Sequence, residues 1–539
     1  MELTNNKKPC VVKTSQGFSV SYKDRLLYSK YNPSKLILQT INDLELIEGT
    51  IVLAISPCLC YGLDELLHKL PKDCVIFLCD FDTELYNLTY NCSLFNNSFL
   101  KDKRLFFPSN TELYNLPEII YNLAKSGKYK RIKRIDFSSG YQFHEELYKQ
   151  LEQTCVNSIK TFWTNRLTLT KFGRKYSYNL FRNIQNITNT TKIESYIRKI
   201  DKPILVFGAG ESTDFIIQQY KTRLDNFYIL CVDTALSPLI NQGIIPNGVF
   251  VEEAQTVISK AFICNKHNVQ LFAGLSSLPH LREYFRDENI SYFTTEYVDS
   301  NFLNDLKKHN ILPPVNPPFG SVGLTSVYYA LQFRANDNIP VFVTGLDFSY
   351  SVGKTHCRGS MAHVGRLITN NRLSCIDNLN AAFLGNATAF YDKQHNNFIS
   401  TPSLSNYCAL FNNLFSKENN LFDISNSGLP LSIPRINFSS ISFNTKTECI
   451  IKKEHFNDEY CERLKNYIIN EKSSLLTLRS LLTEKQEISE KELQDKITSL
   501  CINKEYLYLH YPDGYNFYYS QSFLNRIRTE IDFFLSILN

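Results

Sequence analysis

One segment constrains the fold of this 539-residue chain more than any other: PILVFGAGES at residues 203–212. A short apolar run, 203–207, reads as a buried strand and passes directly into Gly208 and Gly210. An amphipathic helix, FIIQQYK, follows. A second apolar strand, FYILCVD at 227–233, leads into the helix-like LSPLINQG, and a third, GVFVEE, starts at 248. Strand and helix alternating in this way predict a parallel sheet with crossover helices. Ligands in such sheets sit beyond the carboxyl ends of the strands. Residues 208–212, 233–235 and 252–255 are therefore expected to share one cleft.

The glycine turn has two readings. Gly208, Ala209, Gly210, Glu211 and Ser212 would present free backbone N–H groups and the positive end of a helix dipole to an anion, with Ser212 and Thr213 as caps. Alternatively the turn is only a turn, since Thr213 stands where a dinucleotide fingerprint would have its third glycine. On the first reading, Gly210→Val is expected to abolish nucleotide binding and leave the fold intact. A second helix start, Gly320-Ser321-Val322-Gly323 ahead of LTSVYYALQF, offers the same chemistry, with Ser321 and Thr325 adding hydroxyls. Its glycines serve equally for close packing of helix on sheet. After the apolar run in IPVFVTGLDFSYSVGKTH, Asp347, Tyr350, Lys354 and His356 fall on a loop at the same end of the sheet.

Metal ligation is not expected. The cleft loops carry no D-x-D pair, and Asp80 and Asp82 in CDFDTE read as a strand-end turn. His356, Cys357 and His363 imitate ligand spacing without completing a set of four.

An apolar content of 43% supports proper cores. The net charge of +5, from 58 basic and 53 acidic residues, does not call for nucleic acid, and KYKRIKR at 128–134 reads as a solvated loop. Fifteen cysteines without a C-x-x-C suit a reduced, cytoplasmic chain better than a disulfide framework. No apolar core of a signal peptide and no membrane span stands out.

Four divisions are expected: a small α/β domain at 1–150, a helical bridge at 151–200, a central domain at 201–440 and a helical domain at 441–539. Trp163 should pack within the bridge. The aromatic tail from about 505 reads as helix packing or as a docking face for a partner.

GAGES, VDTALSPLINQGIIPNGVFVEEAQ, FGSVGLTSVYYAL and VFVTGLDFSYSVGKTH, in that order, resemble the motility-associated factor (Maf) flagellin glycosyltransferases and their MptE-like central domain. FLGNATAFYDKQHNNFISTPSL and NSGLPLSIPRI are similar to later blocks of the family. The likeness covers roughly residues 165–440. Glu211, Thr213 and Phe319 depart from the family pattern, and IVLAISPCLCYGLDELL lacks the glycines of a working nucleotide turn.

The resemblance implies an α/β fold with a Rossmann-like central domain resembling sialyltransferases. It also implies transfer of a nonulosonic acid, a sialic-acid-like sugar, from a CMP-activated donor to Ser or Thr of flagellin, without metal or other cofactor. The donor would meet residues 208–212, Asp233, Thr234, Ala235, residues 320–323, Tyr350 and Lys354. His356 would be the general base, with Asp347 as its orienting partner or as an alternative base. Independently of the resemblance, the helical, aromatic-rich pattern from about 450 onward, without a site-like cluster, leads to the expectation that this segment recruits the acceptor and that truncation near 445 spares nucleotide binding. Two other readings stay open: a 6-hydroxymethyl-dihydropterin diphosphokinase-like enzyme, and a non-catalytic flagellar assembly protein.

Overall fold

The apolar runs form the strands of two parallel sheets. The computed structural model describes residues 8–92, 102–263, 265–351, 354–369, 371–373, 388–391, 397–441, 449, 451–484, 487–514 and 516–538. Parts of FLGNATAFYDKQHNNFISTPSL, and the Val352 and Gly353 of VFVTGLDFSYSVGKTH, lie outside the described residues. The chain divides into two compact units, one of residues 1–171 with 508–518 and one of 172–507 with 519–539.

The first unit opens with an antiparallel meander of β1 (Cys10–Thr14), β2 (Gly17–Tyr22) and β3 (Arg25–Leu26). Its parallel sheet contains β4 (Thr50–Ile55), β5 (Val75–Cys79), β6 (Leu105–Phe106) and β7 (Arg131–Asp136), in the order β6-β5-β4-β7. Both faces of β4 are covered, Val52 and Ala54 by Ile41 and Leu66, and Ile51 and Leu53 by Leu116 and Tyr148. That explains its unbroken apolar run.

The basic run at 128–134 is only partly a loop. Residues 131–134 are the edge strand β7 itself, with Arg134 paired to Asp136 at 2.7 Å, and charged side chains suit an edge. Trp163 packs against the core under β4 and donates Nε1–H to the Tyr129 carbonyl. Asp82 caps the helix Thr83–Asn91 through the N–H groups of Glu84 and Leu85 and pairs with Lys23, while Asp80 is fully buried.

The second unit is built on eight parallel strands: β8 (Ile204–Phe207), β9 (Tyr228–Val232), β10 (Gly248–Val251), β11 (Gln270–Gly274), β12 (Ile290–Thr295), β13 (Val315–Asn316), β14 (Val341–Thr344) and, after an antiparallel hairpin of β15 (Thr388–Tyr391) and β16 (Asn397–Ser400), β17 (Leu421–Asp423). Their order is β13-β12-β11-β10-β9-β8-β14-β17. From β8 the chain winds outward to β13 and then returns to the other side of β8 to lay down β14. The winding direction therefore reverses between β8 and β14, which is where a doubly wound sheet opens a crevice.

Phe250, Phe272 and Phe293 of the sheet pack in the core against Tyr329 and Phe333 of the helix Val322–Phe333. The helix expected from 151 starts earlier, at Glu145, and runs unbroken to Ile184. At the carboxyl-terminal end of the chain the helices Asp458–Thr483, Glu490–Cys501 and Gln521–Ile537 form a helical region. Tyr506 and Phe534 of that region are fully buried against Phe181 and Phe302. No helix among the described residues is long and apolar enough to cross a membrane.

Candidate functional site

β8 ends at Phe207, and the ladder to β14 continues one residue further, Gly208 N–H donating to the Thr344 carbonyl at 2.7 Å. Gly210 N–H then donates to Gly345 O at 2.8 Å. A Cβ on Gly208 would lie 2.2 Å from Gly345 O, and one on Gly210 would lie 2.4 Å from Asp347 Oδ2 and 2.7 Å from Gly345 O. Neither glycine has a left-handed backbone, whereas Gly345 does, with φ +71°. The turn is glycine-rich because two loops interlock there. Gly210→Val would strike backbone as well as a side chain, so this substitution is expected to disturb the fold, where the sequence led to the expectation of an intact one.

Ser212 and Thr213 do not act as caps. The helix Ser212–Tyr220 is capped by Asp347, whose carboxylate accepts from Ser212 N–H at 2.8 Å and from the Ser212 hydroxyl. Ser212 Oγ in turn accepts from Gly345 N–H, and Thr213 donates to Gly208 O. Asp347 is 1% exposed, walled in on its other side by Gly428, whose φ is +101° and whose Cβ would lie 2.6 Å from Asp347 Cα. A carboxyl group of the chain itself already sits at the helix N-terminus where an anion was expected.

The loop after β14 returns to the same turn. Cys357 N–H donates to Ala209 O at 2.9 Å, and Arg358 N–H to the Asp214 carboxylate at 3.0 Å. His356 lies between these anchors, half-buried, with Nδ1 3.1 Å from Thr355 Oγ1. Lys354 Nζ bridges Glu211 at 3.1 Å and Asp214 at 2.8 Å. Burial pulls its pKa down, but the hydrogen bonds to Asp214 and Glu211 outweigh burial and hold it above the ordinary lysine value. Tyr350 is 5% exposed, paired through its backbone to Ile399, and burial raises its phenol pKa.

The second helix start lies at this end of the sheet too. Gly320 has φ +69°, and a Cβ on Gly323 would lie 2.7 Å from Leu346 Cδ2, the atom that stands equally close to Gly208. Leu346 thus joins the two glycine-led turns. The Ser321 hydroxyl makes no cap bond to the helix Val322–Phe333, and Val322 packs against the core.

Beyond β9, Asp233 begins the helix Asp233–Asn241 and accepts from Thr234 N–H at 2.6 Å and its hydroxyl at 2.9 Å. Burial, with Glu253 and Glu252 adding to it against the Thr234 bonds, pushes its pKa up to about 6. Ala235 is fully buried behind it. Glu252 accepts from Thr295 at 2.5 Å and Thr325 at 2.8 Å, tying the end of β10 to the second helix start, and burial raises its pKa.

A recess of about 230 Å³ opens beside the turn, lined by Glu211, Asp214, Phe215, Gln218, Lys354, Arg358, Phe398, Asn426 and Ser427. The last two follow β17 and were not singled out as site residues from the sequence. Only their place in NSGLPLSIPRI pointed to them. Among the described residues no group of three or more His, Cys, Asp or Glu side chains is placed to hold a metal ion.

An uncharacterized protein of Treponema pallidum (strain Nichols) is 30% identical over 558 residues, a span that takes in 98% of this chain and 95% of that one. This chain belongs to the same family as the treponemal protein. A family model described as 6-hydroxymethylpterin diphosphokinase MptE-like matches residues 178–353. The structure of MAf glycosyltransferase from Magnetospirillum magneticum AMB-1 superposes with a TM-score of 0.56 at 12% identity, over 99% of this chain and 92% of that one. The two share a fold.

Proposed function

We propose that this protein is a cytoplasmic protein O-glycosyltransferase that moves a nonulosonic acid from its CMP ester to a Ser or Thr hydroxyl of flagellin. The observation that carries the reading is convergence: the turn 208–212, the helix start 320–323 and the residues 345–351 with 354–358 meet at the strand-order reversal between β8 and β14. The full-length likeness in fold to a MAf glycosyltransferase supports it. The central sheet would carry the chemistry, the first unit a structural role, and the segment from about 450 acceptor recruitment.

In this scheme the neutral His356 imidazole takes the hydroxyl proton as the oxygen attacks the anomeric carbon. CMP departs with the electrons of the bond it leaves. Asp347, buried and bonded to Ser212, positions the turn and is not the base. Lys354 is already shared by two carboxylates. Charge on the leaving phosphate would therefore fall to Arg358 and to the first-turn N–H groups of the Val322–Phe333 helix.

Intact-mass measurement of flagellin incubated with the protein and a CMP-activated nonulosonate, with and without EDTA, tests the reading. A mass gain of one sugar, unaffected by EDTA, is expected. His356→Ala should lower the rate about 10²–10⁴-fold while leaving CMP affinity nearly unchanged. Near-normal turnover in that variant removes His356 from the chemistry.

The MptE-like match favours one alternative, transfer of pyrophosphate from ATP to a hydroxymethylpterin. Magnesium-dependent AMP release in the presence of that acceptor would establish it instead.

A further inference from the structure

Among the described residues, three polar atoms of consecutive residues in the loop after β17 are buried without a hydrogen-bond partner: Ser425 Oγ, Asn426 Oδ1 and Ser427 Oγ. Ser427 is 7% exposed. Buried polar groups are nearly always satisfied, and each exception asks for an explanation. Here the residues Asn426 and Ser427 line the recess beside the 208–212 turn.

We infer that this recess holds an aminopyrimidine ring, the group shared by cytosine and by a pterin. About 230 Å³ is smaller than a site for a whole drug-sized ligand and suits one flat ring system. Asn426 Oδ1 needs a donor, which the exocyclic amino group supplies. The Ser427 hydroxyl can donate to the ring nitrogen beside it. Phe215 and Phe398 present apolar side chains to the ring, and the exposed Arg358 stands ready for an anionic substituent carried on it. Glu211 and Asp214 are already engaged by Lys354, so the lining does not repel such an anion as two bare carboxylates would.

The inference deepens the proposed transfer from a CMP ester and rests on it for the choice of cytosine over a pterin. Calorimetry with CMP, UMP and 6-hydroxymethylpterin, on the wild type, Ser427→Ala and the near-isosteric Asn426→Leu, tests it. CMP should bind at least fivefold more tightly than UMP, whose ring has a carbonyl where cytosine has the amino group. Each substitution should weaken CMP about five- to tenfold, the equivalent of one hydrogen bond. Removing an unpartnered buried hydroxyl costs the free protein nothing, so Ser427→Ala should keep or raise the melting temperature while it weakens binding. A structural role for Ser427 would lower it.

Unchanged CMP affinity in a folded Ser427→Ala protein, equal affinity for CMP and UMP, or no binding of either aminopyrimidine by the wild type overturns the inference. Binding of 6-hydroxymethylpterin but not CMP, sensitive to both substitutions, upholds the recess and rejects glycosyl transfer. A sugar added to flagellin at full rate by Ser427→Ala does the reverse.

Discussion

Asp347 shows how one side chain changes the meaning of a motif. GAGES has the outline of an anion site, and the anion it holds is a carboxylate of the chain itself. The two glycines are then needed so that the Gly345–Asp347 backbone can pass within hydrogen-bonding distance of the turn. Even a methyl group is too much at position 210, because one of its collisions is with a backbone oxygen at 2.7 Å. Gly210→Ala should destabilise the second unit by about 1–3 kcal/mol, the usual cost of overpacking, visible as a lower denaturant midpoint with no ligand present. An unchanged midpoint would mean that the loops do not interlock as described. The sequence could not reveal this partner, because Asp347 lies more than 130 residues from Ser212 and nothing local marks it as a cap.

At the scale of elements, the strand ends of both sheets gather buried carboxylates, and these make stability depend on pH. Asp80, just beyond β5, accepts from Tyr148, Ser56 and the Asp82 N–H, yet burial dominates and pushes its pKa up to about 7. A carboxyl group whose pKa is raised on folding binds its proton more tightly in the folded state. Its contribution is fully present below about pH 4 and is lost as pH rises through about 7. The first unit of the wild type should therefore lose stability between pH 4 and 7 relative to Asp80→Asn, by on the order of a few kcal/mol. Chemical denaturation of both proteins across that range measures the difference. A constant difference would leave Asp80 with no titration linked to folding.

Strands such as β8, β9 and β10 were legible because their apolar runs are unbroken and bounded by turn residues. β1 to β3 are half exposed, and β13 and β17 are only two and three residues long, so no periodicity announces them. The strand-order reversal depends on β14 pairing with β8, Val341 against Ile204, and the recess near Ser427 on β17 pairing with β14, Leu421 against Val341. No local pattern encodes that.

For the whole molecule, the aromatic tail decides what can be removed. Phe181 and Phe302, at most 1% exposed, are covered by Tyr506 and Phe534 with ring centroids 4.7–5.7 Å apart. Glu505 caps the helix Asn301–Lys308 through two backbone N–H groups, and Glu530 pairs with Arg174 at 2.7 Å. Each large aromatic uncovered costs about 1.5–3 kcal/mol, and several together approach the whole stability of a domain. Truncation near residue 445 should accordingly unfold or aggregate the second unit, where the sequence pointed to a separable recruiting domain. A soluble truncated chain with native near-ultraviolet circular dichroism would contradict this. Acceptor recruitment has to be tested on the surface instead. Ile469 and Leu476, about half exposed on the helix Asp458–Thr483, are the apolar side chains to change. Ile469→Lys with Leu476→Glu should leave the melting temperature within about 2 °C, since exposed substitutions cost little. It should also raise the KM for flagellin severalfold with kcat unchanged, if this helix meets the acceptor; an unaltered KM would assign these helices to the core alone.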